Sequence, residues 1–457
     1  MFDEIFERFV QQCPLAVMAR AAMQHALAPA WVDALFEEHR TFQYRRELLF
    51  STVVELMALV ALGLRPSLHA AAQRATDLPV SITALYDKVN HTEPALLRAL
   101  VRGCAARLAP VLAALGPARA PTLAGYRVRI VDGNHLPSSE KRLAPLRAFR
   151  GAALPGQALL VVDPDQHLVV DLLPGEDAHT SEQRLMADLI PSATAGDLWI
   201  ADRNFASRAI LNALAARGAC FLIREHPRFP APTVVGARRR IGRTTAGVVF
   251  ATRVTIPRED GGVLRLRRIE LELDTPTTDG DTVVRLLTNL PRGDADARRV
   301  AALYLERWTI ENVFQRLESA LRSEVRTLGQ PRAALLALTT AVVAFNVLAT
   351  LERAVEAAHA LAPEADVVST WFVAQEVRTH YAGMLVALPP AAWEGLDSET
   401  PRVLARRLLR YAARVDLRHI RKHPRGPKKP KPLGYAPRKT VERHVATARV
   451  LRDREVR

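Results

Sequence analysis

Cysteine is scarce: Cys13, Cys104 and Cys220 are the only three in a chain of 457 residues, and they stand far apart. They make neither an even-numbered disulfide framework nor a paired metal-ligand spacing, which excludes a disulfide-stapled module and a zinc ribbon. A reducing cytoplasm is the expected setting. Asp3, Glu4 and Glu7 stand where a signal peptide would be positive and then apolar, so export is not expected. No Gly-Lys-Ser or Gly-Lys-Thr phosphate loop is present, which argues against ATP as a partner. Long apolar runs are equally few. Ala333 to Leu351, 19 residues without a charge, is long enough to span a bilayer. Thr339, Thr340, Asn346 and Thr350 interrupt it, and no second span or aromatic belt accompanies it. It reads as a buried core helix, with no membrane partner expected.

What is present is hydrophobic content of 49%, enough for large cores and two to four structural units. The formal net charge is +15. From Pro401 to Arg457 there are 19 Lys and Arg against four acids, so the other 400 residues are neutral overall. A neutral body with a basic C-terminal segment suits a polyanion-binding protein, because each neutralised phosphate releases counterions. The alternative is a merely solubilising basic tail.

Residues 1–115 carry apolar residues at helical spacing, as in Phe50-Ser-Thr-Val-Val-Glu-Leu-Met-Ala-Leu59, and predict an all-helical N-terminal domain, a candidate for DNA binding. Within it, Ser81 to Asn90 reads either as the recognition helix of a helix-turn-helix unit, capped by Ser81 and carrying Lys88, or as an ordinary bundle helix. After a Pro- and Gly-bearing linker come strand signals at Tyr126–Asp132, Ala158–Asp163 and His167–Leu173. Thr180 and Gln183 are spaced as a capping box for a helix through Ile190, and Asp197–Asp202 is a strand ending in a carboxylate. Residues 125–225 therefore predict the first part of an α/β core. Alternation over residues 226–295 predicts a β-rich insertion, and residues 296–360 return to helix as the last part of the core. Residues 361–457 predict a helical C-terminal region with a basic tail, whose run Arg421–Pro432 cannot pack a core.

Three signals carry chemistry. Asp132 ends an apolar strand and is followed by Gly133 and Asn134, so a turn would present its carboxylate at the sheet edge; Asp202 ends a second strand. Two such acids can meet at one divalent cation. Taken singly, Asp-Gly is an ordinary turn pair and Asp202 a helix cap. Tyr304, Arg307, Glu311, Glu318 and Arg322 fall on one helical face by the 3.6-residue period. That face suits phosphate positioning beside a metal, or else is a solvated face with Arg307–Glu311 and Glu318–Arg322 ion pairs.

Tyr304-Leu-Glu-Arg-Trp-Thr-Ile-Glu-Asn-Val-Phe314 resembles the signature of the insertion-sequence-four group of DDE transposases: Tyr, two residues, Arg, three residues, Glu, six residues, Lys. Ile130-Val-Asp-Gly133 resembles the first catalytic Asp motif of that family, and Ala201-Asp-Arg-Asn-Phe205 its second. Leu286-Leu-Thr-Asn-Leu290 and Ala344-Phe-Asn-Val-Leu348 also resemble segments common there. The ordered set covers about residues 125–350. Two positions depart from it. Glu318 stands at the lysine, a charge reversal for which Arg322 or Arg316 is the expected replacement cation. Asn204 stands at the usual glycine, a mild change because Asn tolerates left-handed backbone.

The resemblance implies a ribonuclease-H-like fold in which Asp132, Asp202 and Glu311 are catalytic and hold two Mg²⁺ or Mn²⁺ ions about 3.5–4 Å apart. It implies phosphate contacts from Tyr304 and Arg307; Arg322 and Arg316, by helical spacing, and Arg203 are further candidates for phosphate or DNA, with Arg265, Arg267 and Arg268 of the β-insertion as candidate contacts to DNA backbone. The implied activity is cleavage at transposon terminal inverted repeats, through a hairpin on the flank, and transfer of the 3′ ends to target DNA. The implied assembly is a homodimer on paired ends in a bacterial, nucleoid-associated setting, with His444–Arg449 pairing to a second chain. Two rivals remain: a decayed or repressor-like end-binding copy, for which Glu318 speaks, and a two-metal nuclease that does not join ends.

Overall fold

The computed structural model describes residues 2–43, 47–75, 78–116, 120–277, 280–362, 367–396, 398–423 and 444–455. The chain opens on seven helices: α1 (Phe2–Gln12), α2 (Pro14–Ala26), α3 (Pro29–His39), α4 (Phe50–Ala61), α5 (Leu68–Gln73), α6 (Ile82–Asn90) and α7 (Pro94–Ala114). Pro sits in the first turn of α2, α3 and α7, where its missing N–H costs nothing. Ser81 caps α6 as its sequence suggested, but Lys88 turns inward, donating to the Leu48 carbonyl at 2.5 Å and lying over the Phe36 ring. That orientation is the one expected of a bundle helix.

The sheet strands are β1 (Arg127–His135), β2 (Ala152–Leu154), β3 (Gln157–Asp163), β4 (Leu168–Gly175), β5 (Asp197–Ala201) and β6 (Cys220–Arg224), with α8 (Glu182–Leu189) before β5 and α9 (Arg208–Ala216) after it. They continue as β7 (Thr233–Val234), β8 (Arg239–Thr244), β9 (Gly247–Pro257), β10 (Val263–Leu273) and β11 (Val283–Thr288). All but β2 belong to one mixed sheet in the order β4-β3-β1-β5-β6-β11-β10-β9-β7, with β8 on β9. The alternating segment is thus no separate layer: β11 pairs antiparallel with β6, so it prolongs the central sheet.

Period-two alternation divides the sheet between two cores. Ile130, Leu160 and Ile200 face one core, shared with the N-terminal helices; Val131, Val161 and Ala201 face the other, covered by α8 and α9. The first face also carries α10 (Ala297–Leu305), α11 (Trp308–Ser319) and α12 (Pro331–Ala358). The most apolar stretch of α12 is wholly buried, so the one described helix long and apolar enough to cross a membrane is a core helix. Inside it, the fully buried Asn346 accepts from the Val169 N–H and donates to the Val169 carbonyl, both at 2.8 Å. Asn346 therefore does for the outer edge of β4 what another strand would do.

Beyond α12 lie α13 (Thr370–Ala387), α14 (Pro401–Ala412) and α15 (Leu417–Ile420), then β12 (His444–Ala446) and α16 (Thr447–Glu455). Most of the Arg421–Pro432 run lies outside the described residues. β12 pairs parallel with β2 of its own chain, and Arg449 and Arg452 reach Asp177, so His444–Arg449 is docked in cis here.

Candidate active site

β1 and β5 run parallel, with Ile130 opposite Ile200 and Val131 opposite Ala201. One step further along both strands come Asp132 and Asp202, at the carboxyl end where open α/β sheets bind their ligands. Asp202 accepts the Asn204 N–H at 2.8 Å, capping the short turn Arg203–Phe205. Asp132 accepts the N–H of Gly133 at 2.9 Å. The expected Asp-Gly turn does not form. β1 runs on to His135 because β3 supplies an antiparallel ladder past Asp132, with Gly133 opposite Leu159.

The third carboxylate arrives from the helices. The chain is not one helix from Tyr304 to Arg322: α10 ends at Leu305, and α11 starts afresh at Trp308 and stops at Ser319. Arg307 occupies the break. Its guanidinium contacts Glu311, one turn on, at 2.8 Å, and Asp132 at 3.3 Å, so one cation ties an acid of β1 to a helical acid. The Arg307–Glu311 pair foreseen from i,i+4 spacing is real; Arg307 is largely buried and also reaches Asp132, whereas Glu311 keeps a side open to solvent. Tyr304 is buried beside Arg307, and burial pushes its phenol up to about 12, which keeps the hydroxyl a donor.

Electrostatics mark the same spot. Asp132 is pushed up to about 7, first by burial and then by the facing Asp202, against the opposing pull of the Gly133 N–H and Arg307. Glu182 is raised too, by burial and by Asp202.

Sequence reasoning missed Glu182. The cap of α8 is Ser181, not Thr180, which makes Glu182 the first helical residue. Its carboxylate lies on the backbone of Gly133: a Cβ there would fall 1.8 Å from Glu182 Oε1. Glu182 Oε2 accepts from Asn204 Nδ2 at 3.3 Å. The signal available in the sequence was a glycine directly after a strand-end acid, which read as a turn residue. Gly133→Ala is expected to destabilise by about 1 kcal/mol, because the flexible Glu182 side chain yields before the strand does. Urea denaturation checks this, and a loss above about 3 kcal/mol would mean that the strand itself has moved.

A family model for the transposase DDE domain matches residues 123–347. The chain carries a transposase DDE domain. The matched segment runs from the start of β1 into α12 and holds Asp132, Asp202, Glu311, Glu182 and Asn346. No curated protein matches the chain.

Within the DDE domain, several residues expected at the site are placed elsewhere. Arg322 lies beyond the end of α11, so the helical period does not carry to it; its N–H donates to the Ala61 carbonyl at 2.8 Å and its guanidinium meets the Pro66 carbonyl. Arg316 is paired with the buried Glu352 at 3.8 Å. Both are thus engaged away from Asp132 and Glu311, and the position of the family lysine is the exposed Glu318 on α11. Arg203 is 3.7 Å from Asp281, which also binds Arg224 at 2.5 Å. On β10, Arg268 is held by Glu225 and Arg267 by the Ala295 carbonyl, whereas Arg265 is exposed. Asn204 has no left-handed backbone, so its side chain and not its tolerance of positive φ is what matters.

DDE transposases use divalent metal ions, and the donor set here fits one. Carboxylate oxygens are hard ligands suited to Mg²⁺ or Mn²⁺. Asp132 carries a burial cost and the repulsion of the Asp202 charge, both of which a cation would relieve. Gly133 leaves open a cradle already filled by another carboxylate. Among the described residues no three acids, histidines or cysteines are already gathered as a cage, because Arg307 stands between Asp132 and Glu311.

Proposed function

We propose that this protein is a DNA transposase that binds the terminal inverted repeats of its element, cuts phosphodiester bonds there and transfers the 3′ ends to target DNA. The observation that carries the reading is that Asp132 and Glu311, from a strand and a helix of the matched domain, share the Arg307 guanidinium, while Asp202 on the neighbouring strand acts on Asp132. Asp132, Asp202 and Glu311 would hold two divalent cations, Mg²⁺ or Mn²⁺, which supply activation of the attacking oxygen and neutralisation of the leaving one. Arg307 clamps the phosphate with the fork that now spans two carboxylates, and Tyr304 donates a hydrogen bond beside it. A ribonuclease-H-like core is supported by β1 lying between antiparallel β3 and parallel β5, with Asp132 in β1 and Asp202 just after β5 on the neighbouring strand. Membership of the insertion-sequence-four group is supported by the resemblance of the Tyr304–Arg307–Glu311 spacing to that group's signature, and a hairpin intermediate and action as a homodimer on paired ends are what that resemblance implies.

The test is to find inverted repeats flanking the reading frame and to incubate the purified chain with that end DNA and Mg²⁺ or Mn²⁺. Nicks or hairpins followed by joined products support a transposase, whereas free ends alone would indicate a non-joining nuclease. A second reading, an end-binding protein that does not cut, is favoured by Glu318 and predicts salt-sensitive binding with no product in either metal.

The raised Asp132 carboxyl has a consequence for stability. Its folded value, about 7, lies above the ordinary 3.8, so the native state holds the extra proton. Stability from this group is therefore full at acid pH and is lost as pH rises through about 7. With metal chelated, Asp132→Asn is expected to be more stable than the unsubstituted protein at pH 8.5, by roughly 2–4 kcal/mol, and nearly equal at pH 4.5. Denaturant melts at the two pH values check it; a gain of equal size at both would remove the titration as its cause.

A further inference from the structure

We propose that Glu182 is a fourth carboxylate of the cation site, set opposite Glu311 and positioned by Asn204 and Gly133. The proposal rests on reading Asp132, Asp202 and Glu311 as cation ligands. Glu311 reaches the strand ends from α11, on the sheet face shared with the N-terminal helices. Glu182 comes from α8, which covers the other face, and crosses the top of β1 at the one residue that has no side chain to stop it. Any larger residue at 133 would push the carboxylate away, since a Cβ would sit 1.8 Å from Oε1 and 2.6 Å from the carboxyl carbon.

Asn204 fixes the other end. Its backbone N–H binds Asp202 at 2.8 Å while its side-chain amide binds Glu182 at 3.3 Å, so a single residue sets the two acids side by side. Gln183 donates to the Asn204 carbonyl at 2.7 Å and holds the turn against α8. A glutamate in the first turn of a helix is favoured by the helix dipole alone. The dipole explains an acid at that position but neither the cradle in β1 nor the amide latch. Among the described residues no Lys or Arg pairs with Glu182, so Arg307 is left to balance several acids.

Asn204 is a positioning residue, and Glu182 is the group that would touch the cation.

The experiment is Mn²⁺ titration of the full chain by calorimetry at neutral pH, without DNA, following the tightest binding that Asp132→Asn removes. Glu182→Gln is expected to weaken that binding about 10–100-fold, Glu182→Asp to weaken it less, and Asn204→Gly to weaken it several-fold, with melting temperatures in chelator little changed. Should Glu182→Gln unfold the protein, Glu182→Asp and Asn204→Gly still decide the matter. Affinity unchanged in all three, while Asp132→Asn still removes it, overturns the role of Glu182 and leaves the three-acid site standing. If Asp132→Asn and Asp202→Asn also leave Mn²⁺ affinity unchanged, the cation site itself is gone and this inference with it.

Discussion

Asp132→Asn, Asp202→Asn and Glu311→Gln are each expected to lower metal-dependent cleavage of end DNA by at least about 10³-fold, because each removes a charged oxygen donor from chemistry that runs on neutralised phosphate charge. Binding of the same DNA should stay within a few-fold. All three substitutions keep side-chain shape, and under the proposed function the DNA would be held by cations and hydroxyls outside the carboxylate set. Since the acids act as one unit, any two combined should cost little more than either alone. The assay is single-turnover cleavage with Mg²⁺ and with Mn²⁺, beside a binding isotherm at fixed salt. A variant that cuts within ten-fold of the unsubstituted protein would strike its residue from the site. Arg307→Ala is a useful contrast: it removes the guanidinium that spans Asp132 and Glu311, so it should weaken both phosphate positioning and the alignment of those acids.

Asn346→Leu is expected to destabilise the fold by about 3–5 kcal/mol, through two lost hydrogen bonds and two stranded backbone groups on β4. Asn346 is completely buried, and its amide serves both the N–H and the carbonyl of Val169. Leucine is of similar size, so the loss would come from polar groups without water or partner rather than from a cavity. Urea denaturation followed by circular dichroism measures it. A change under about 1 kcal/mol would show that Val169 finds another partner. Ala344-Phe-Asn-Val-Leu348 stood out only as a resemblance; the structure supplies its physical reason, an edge strand sealed by a core helix.

Local patterns in the chain were readable where their physics is local. Alternation over β9, β10 and β11, the apolar run inside α12, the Ser81 cap and the Arg307–Glu311 spacing each depend on neighbours a few residues away, and each is found in the structure. Harder to read were features settled by contacts distant in sequence. Gly133 looked like a turn and is a strand residue, because β3 runs alongside and Glu182 needs the space. Arg322 looked like part of a helical face, but α11 stops before it and Ala61 takes its N–H.

By itself, then, the sequence determined the mixed α/β class and the transposase DDE domain, and it singled out the acids on which the proposed chemistry rests, since periodicity and motif spacing are written along the chain. Only the tertiary structure decided that the alternating segment extends the central sheet, that Arg307 contacts Asp132 as well as Glu311, that Arg316 and Arg322 are engaged elsewhere, and that Glu182 lies against Gly133. The physical reason is the same in each case. Strand pairing, ion pairing and burial act between residues that meet only after the chain has folded, and no spacing along the sequence records which of them will meet.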